Sequence, residues 1–131
     1  MSPRPRPTVR FDLIPPGSER RIAQIFERDA LVFGPRDWES NVPLSAFVNM
    51  ARDALNRLHA RDTSDDWAAR VSWCMLGYMH VEAKVRAGLL PAELADMPAP
   101  DPIFLAASAG VPALDEAPPV PPAPPALPSG K

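Results

Sequence analysis

This sequence is poor in the features that announce a known chemistry. It holds one cysteine, Cys74, so no disulfide can form within the chain, and the lone thiol falls inside an apolar helical pattern. A buried thiol there behaves as a small hydrophobe. A phosphate-cradling P-loop, a glycine-rich dinucleotide turn, an HExxH pair and a CxxC pair are all missing, and His59 and His80 lack metal-ligand spacing. No apolar run approaches the roughly 18 residues of a membrane span. The N-terminus alternates Pro and Arg where a signal peptide needs an apolar core, so the expectation is a cytoplasmic protein with no membrane partner. Nor is there a strong excess of one charge. Residues 1–90 carry 13 basic against 11 acidic side chains, and residues 91–131 carry one against five. Neither balance suits a dedicated nucleic-acid binder.

What the chain does have is proline, 19 in 131 residues. Twelve lie at or beyond Pro91 and three among the first seven positions, which leaves the stretch between Val9 and Leu90 to fold. This divides the chain into a flexible basic arm (1–10), a helical domain (11–97) and a disordered proline-rich tail (98–131). The arm's arginines could touch phosphates, although an exposed basic tail is the commoner meaning of such a segment. The tail's PxxP spacings lack an adjacent basic anchor, so it reads as a tether first and as a docking motif for a protein partner second.

Within the domain the apolar spacing is helical and predicts an all-α fold, a small three- to four-helix bundle. Phe11 to Gly17 reads as an extended lead-in that lays Phe11, Leu13 or Ile14 onto the helices. Ser18 is the expected N-cap of a first helix to about Val32, with Ile22, Ile25, Phe26, Ala30 and Phe33 on its inner face and Gly34-Pro35 ending it. Val42-Pro43 opens a second helix striped by Leu44, Phe47, Val48, Ala51, Leu55 and Leu58. The short link after it predicts an antiparallel third helix, capped by Thr63 or Ser64 in a capping-box-like start and ended by Gly88 and Pro91. Its apolar residues, Trp67, Val71, Cys74, Met75, Tyr78 and Val85 with Trp73, Leu76 and Met79, spread over most of the surface. Such a helix is central to a bundle or pressed against a second subunit, and a homo-oligomer is expected. One further helical turn is expected between Leu89 and Met97.

The residues left for chemistry are carboxylates at helix ends and faces: Glu39, Asp53, Asp65 and Asp66. Carboxylates converging across a bundle can hold Mg²⁺ or Mn²⁺, which clamps a nucleotide's phosphates and positions water for in-line attack. Asp65 and Asp66 have a plainer alternative role, capping a helix and complementing its dipole.

The segments RFDLIPP, FGPRDWES, ARDALNRL and SDDWAARVSWCMLGYMHVE, in that order, resemble the phage-encoded dATP/dGTP diphosphohydrolase N-terminal domains, related to the all-α, MazG-like nucleotide pyrophosphohydrolases. The resemblance covers about residues 10–87. It implies a helical, often oligomeric domain that hydrolyses deoxynucleoside triphosphates to monophosphate and pyrophosphate with a divalent metal. Glu39, Asp53 and Asp66 would then bind the metal, with Asp53 and Asp66 in the catalytic role. Arg36 or Arg57 would meet the phosphates of the nucleotide substrate, and Trp38 would stack on the base. Where the family places His directly after the aspartate, this chain has Trp67, and where it has Asn after the helix tryptophan, this chain has Cys74. Those two exchanges support an alternative reading, a catalytically inactive member of the same fold used as a phage or prophage accessory interaction module.

Overall fold

A computed structural model describes residues 9–109. Among them regular structure is entirely helical: α1 (Pro16–Phe33), α2 (Leu44–His59), α3 (Trp67–Arg86) and α4 (Pro102–Ser108), with 3-10 turns at Phe11–Leu13, Asp37–Glu39 and Ala92–Leu94. The fold is the small all-α bundle that the apolar spacing predicts. The chain divides into two units, residues 1–97 and 98–131.

The entry into α1 departs from expectation. The lead-in is not extended; Phe11–Leu13 forms a 3-10 turn beside a two-bond Arg10–Asp12 pair. Phe11 and Leu13 are about 70% exposed, so they do not pin the segment to the helices. Ser18 is not the cap. Pro15 occupies the N-cap and Pro16 the first helical position, where its fixed φ suits the helix and its missing N–H costs nothing. Gly34, at φ 91°, ends α1, whose buried residue is Ile25; Phe33 stays exposed.

Helices α2 and α3 form an antiparallel hairpin. Leu44 at the start of α2 shares a cavity wall with Tyr78 and Val85 late in α3, and Arg57 near the end of α2 covers Trp67 at the start of α3. Both C-termini close with the same paired bonds. Arg61 N–H reaches Leu58 O and Asp62 N–H reaches Arg57 O after α2; Gly88 N–H reaches Val85 O and Leu89 N–H reaches Lys84 O after α3. This closure needs a left-handed residue, supplied by Arg61 (φ 61°) and Gly88 (φ 75°). The cap of α3 is Asp66, not Thr63 or Ser64: its carboxylate accepts the Ala69 N–H. The Asp62 carboxylate instead receives the Ser64 N–H and shapes the turn, moving the helix start to Trp67.

The core lies on the α2–α3 seam, where Phe47, Cys74 and Val81 are wholly buried beside Leu44, Ala51, Trp73, Ala69 and Ile25. Gly77 explains how closely the helices approach, because a Cβ there would stand 2.5 Å from Phe47 Cε1. The seam keeps Leu44, Phe47, Ala51, Trp73 and Cys74 on the buried side as predicted but departs from the rest of each stripe. In α2 the buried line runs through Ala51 and Ala54, leaving Leu55 and Leu58 half-exposed. In α3 it follows the four-residue steps Ala69, Trp73, Gly77 and Val81, while Val71, Met75, Tyr78 and Val85 are only partly buried. Small side chains let the backbones close, and larger ones take the flanks.

The expected turn after Leu89 is the 3-10 turn Ala92–Leu94. In the second unit, residues 102–108 are helical, against the expectation of an irregular segment from Pro98 onward. The Asp101 carboxylate accepts the Ile103 and Phe104 N–H groups, and Pro102 occupies the first turn. Residues 1–8 of the basic arm and residues 110–131 with their PxxP spacings lie outside the described residues.

Candidate functional site

The FGPRDWES segment is folded down onto α3. Arg36 takes a left-handed conformation (φ 56°) at the entry of the 3-10 turn, and this bend aims Trp38 inward. The Trp38 ring sits 5.6–6.2 Å, centroid to centroid, from Phe26, Phe47, Trp73 and His80. An indole so enclosed closes the end of the bundle. Glu39, next along, is held by α3: Glu39 Oε1 accepts from Lys84 Nζ and lies 3.1 Å from His80 Nε2. The Lys84 and His80 bonds lower its carboxyl to about 2.

Asp53 lies elsewhere, on α2, with its carboxylate 2.9 Å from Arg57 Nε. Arg57 also reaches Asp62 at 3.1 Å and places its guanidinium 4.9 Å from the Trp67 ring centre. Asp66 caps α3 while accepting both Arg21 Nε and Nη2, at 2.8 and 2.6 Å, and the bond from Arg21 is the main cause of its lowered pKa. Asp65 does the same for Arg28 at 2.7 and 3.0 Å.

The six expected site residues are therefore dispersed. Asp53 and Arg57 come together, and Trp38 and Glu39 share one turn against α3. Asp66 is fourteen residues before His80, the partner of Glu39, a separation of about 21 Å along the helix. Glu39, Asp53 and Asp66 are each matched with a cation of their own. Among the described residues no three His, Cys, Asp or Glu side chains stand together as metal ligands. The donor set does not fit an Mg²⁺ or Mn²⁺ site.

A different grouping takes shape between α2 and α3. A cavity of about 430 Å³ is lined by Asn49, Met50 and Asp53 from α2 and by Trp67, Arg70 and Trp73 from α3. Arg70 lies 5.0 Å over the Trp73 ring while bonding Asp29 through two nitrogens, at 2.6 and 3.2 Å. The Trp67 N–H leans towards Asp62, whose carboxyl is lowered to about 2 chiefly by Ser64, but it does not reach hydrogen-bond geometry. The Trp73 N–H is buried without an acceptor. Sequence reasoning passed over this grouping although Trp67, Arg70 and Trp73 recur every three residues, a spacing that puts them on one ridge of a helix. Trp67 and Cys74, the two exchanged positions, differ in fate. Trp67 lines the cavity, whereas Cys74 is buried in the core, and burial pushes its thiol pKa up and keeps it neutral.

No protein-family model matches the chain, and neither does any curated protein or solved structure. No helix among the described residues is long and apolar enough to cross a membrane.

Proposed function

We propose that this chain is a non-hydrolysing relative of the dNTP diphosphohydrolase-like helical domains, serving as an accessory interaction module in a phage or prophage setting. The observation that carries this reading is the fate of the three carboxylates. Glu39, Asp53 and Asp66, which would have to converge on a metal, are each neutralised by Lys84 with His80, by Arg57, and by Arg21 respectively, at separate places on the bundle. Charge-assisted bonds of this kind hold a carboxylate against its own fold and oppose its recruitment to a shared cation. The exchange of a polar His and Asn for Trp67 and Cys74 points the same way.

A hydrolase is the second reading, favoured by the α2–α3 cavity. Its volume falls in the range of small-ligand sites, and it sets Asp53 and Arg70 beside two indoles. Pyrophosphate release from each of the four dNTPs with Mg²⁺ or Mn²⁺, comparing the full chain with Asp53→Asn, whose side chain lines that cavity, separates the two. The interaction module gives no release above the Asp53→Asn background. Turnover that disappears in folded Asp53→Asn would establish the enzyme and overturn the proposal.

A further inference from the structure

Helix α1 is attached to the rest of the bundle by a different chemistry from that joining α2 to α3. Over its 18 residues it buries Ile25 alone, with Phe26 adding a ring 6.1 Å from those of Trp38 and Trp73. Ile22 and Ala30 are part-buried, and the strongest directional contacts come from its charged side chains. Arg21 grips Asp66, Arg28 grips Asp65 and Asp29 is gripped by Arg70, each through two hydrogen bonds between 2.6 and 3.2 Å. All three pairs join α1 to the first turn of α3 or the residues just before it. The Arg21 and Arg28 side chains are about half exposed, so salt screens two of these contacts; Arg70 and Asp29 are four-fifths covered. The surface under α1 is apolar. Ala69 and Trp73 lie on α3 at helical spacing from Leu76, which is already 42% exposed.

We infer that α1 is an ion-latched arm: it opens from the α2–α3 hairpin as a unit when its arginine–aspartate pairs are weakened, uncovering Trp73 and Trp38 next to Leu76 as one apolar surface. The asymmetry of attachment is the reason. A packed seam gives way only with the whole fold, whereas a helix held by partly exposed ion pairs and one buried isoleucine has its own, lower opening free energy. The connection following α1 is suited to such a motion, since Gly34 and Arg36 both hold left-handed backbone there.

Segment-resolved hydrogen exchange on the full chain tests this. Raising NaCl from about 0.1 M to about 1 M shortens the screening length from roughly 10 Å to roughly 3 Å. The amides of residues 17–33 are expected to exchange about tenfold faster relative to those of α2 and α3, as loss of a few exposed pairs would give. Arg21→Gln with Arg28→Gln should reproduce that acceleration at low salt. Arg86→Gln, whose ion-pair partner is Glu82 on α3 itself, should leave α1 unchanged. Exchange of α1 in step with α2 and α3 at both salt concentrations would overturn the inference. So would a double variant that folds and leaves α1 protection as it was. The wild-type salt series stands by itself if the double variant does not fold.

Discussion

The interfaces that α3 makes with α2 and with α1 teach opposite lessons about how a helix can be held. Against α2 the contact is steric: Phe47 is sunk into the space left by Gly77, with Ala51, Ala54 and Ala69 letting the helices approach. Against α1 the directional contacts are electrostatic, three arginine–aspartate pairs around one buried isoleucine and the part-buried Phe26. Dispersion and apolar burial add over many atoms and are not weakened by ionic screening, while partly exposed ion pairs each contribute a fraction of a kcal/mol and are screened. The same molecule thus has a rigid half and an adjustable one.

The sharpest way to break that contrast is at Phe47. Its ring is fully buried, so Phe47→Ala should cost about 3–5 kcal/mol, read as a shift of the urea midpoint, and a loss under 1 kcal/mol would remove the seam from its central place. Gly77→Ala comes next. The added methyl would overlap the Phe47 ring, which has no room to retreat, at a cost of about 1–3 kcal/mol that better helix propensity offsets by about 1. Combining it with Phe47→Leu should recover part of the loss. A Gly77→Ala protein more stable than wild type would mean the helices are farther apart than described.

The smallest effect concerns the turn that carries Trp38. Glu39 has a pKa of about 2 in the fold against an ordinary 4.5, because it accepts from Lys84 and His80. A lowered carboxylate stabilises fully above its unfolded value and loses that contribution as pH falls through the folded one. Glu39→Gln should therefore lower the Tm at neutral pH, with the gap to wild type closing between pH 4.5 and pH 2. Asp62 titrates in the same window, and comparing the two proteins cancels its part. A gap constant across that range would show that Glu39 acts through shape instead of charge.

Much of the architecture was legible in advance. Apolar residues at helical spacing located α1, α2 and α3, proline pairs and glycines bounded them, and the short link set the hairpin antiparallel. The site was far less legible. Glu39, Asp53 and Asp66 are carboxylates of the right type for a metal, but which cation each meets depends on residues far away in sequence: Lys84, 45 positions from Glu39, and Arg21, 45 positions from Asp66. The start of α3 offered three candidate caps, and Asp66, already read as a capping carboxylate, is the one used. Thr63, Ser64 and Asp66 can all cap a helix, and the choice fell to Asp66 because Asp62 captures the Ser64 N–H and spends that residue on the turn.

By itself, the sequence determined that this protein is helical and where α1, α2 and α3 lie, because these follow from backbone sterics and local periodicity; it did not show α4, which begins at Pro102. Which face of α3 is buried was decided only by tertiary structure. α3 is apolar over most of its surface, so no local rule favours the line through Ala69, Trp73, Gly77 and Val81 over its neighbours. The preference comes from Phe47, which finds at Gly77 the one place on that line without a side chain, and the rotation this sets decides which α3 residues meet Glu39 and Asp29.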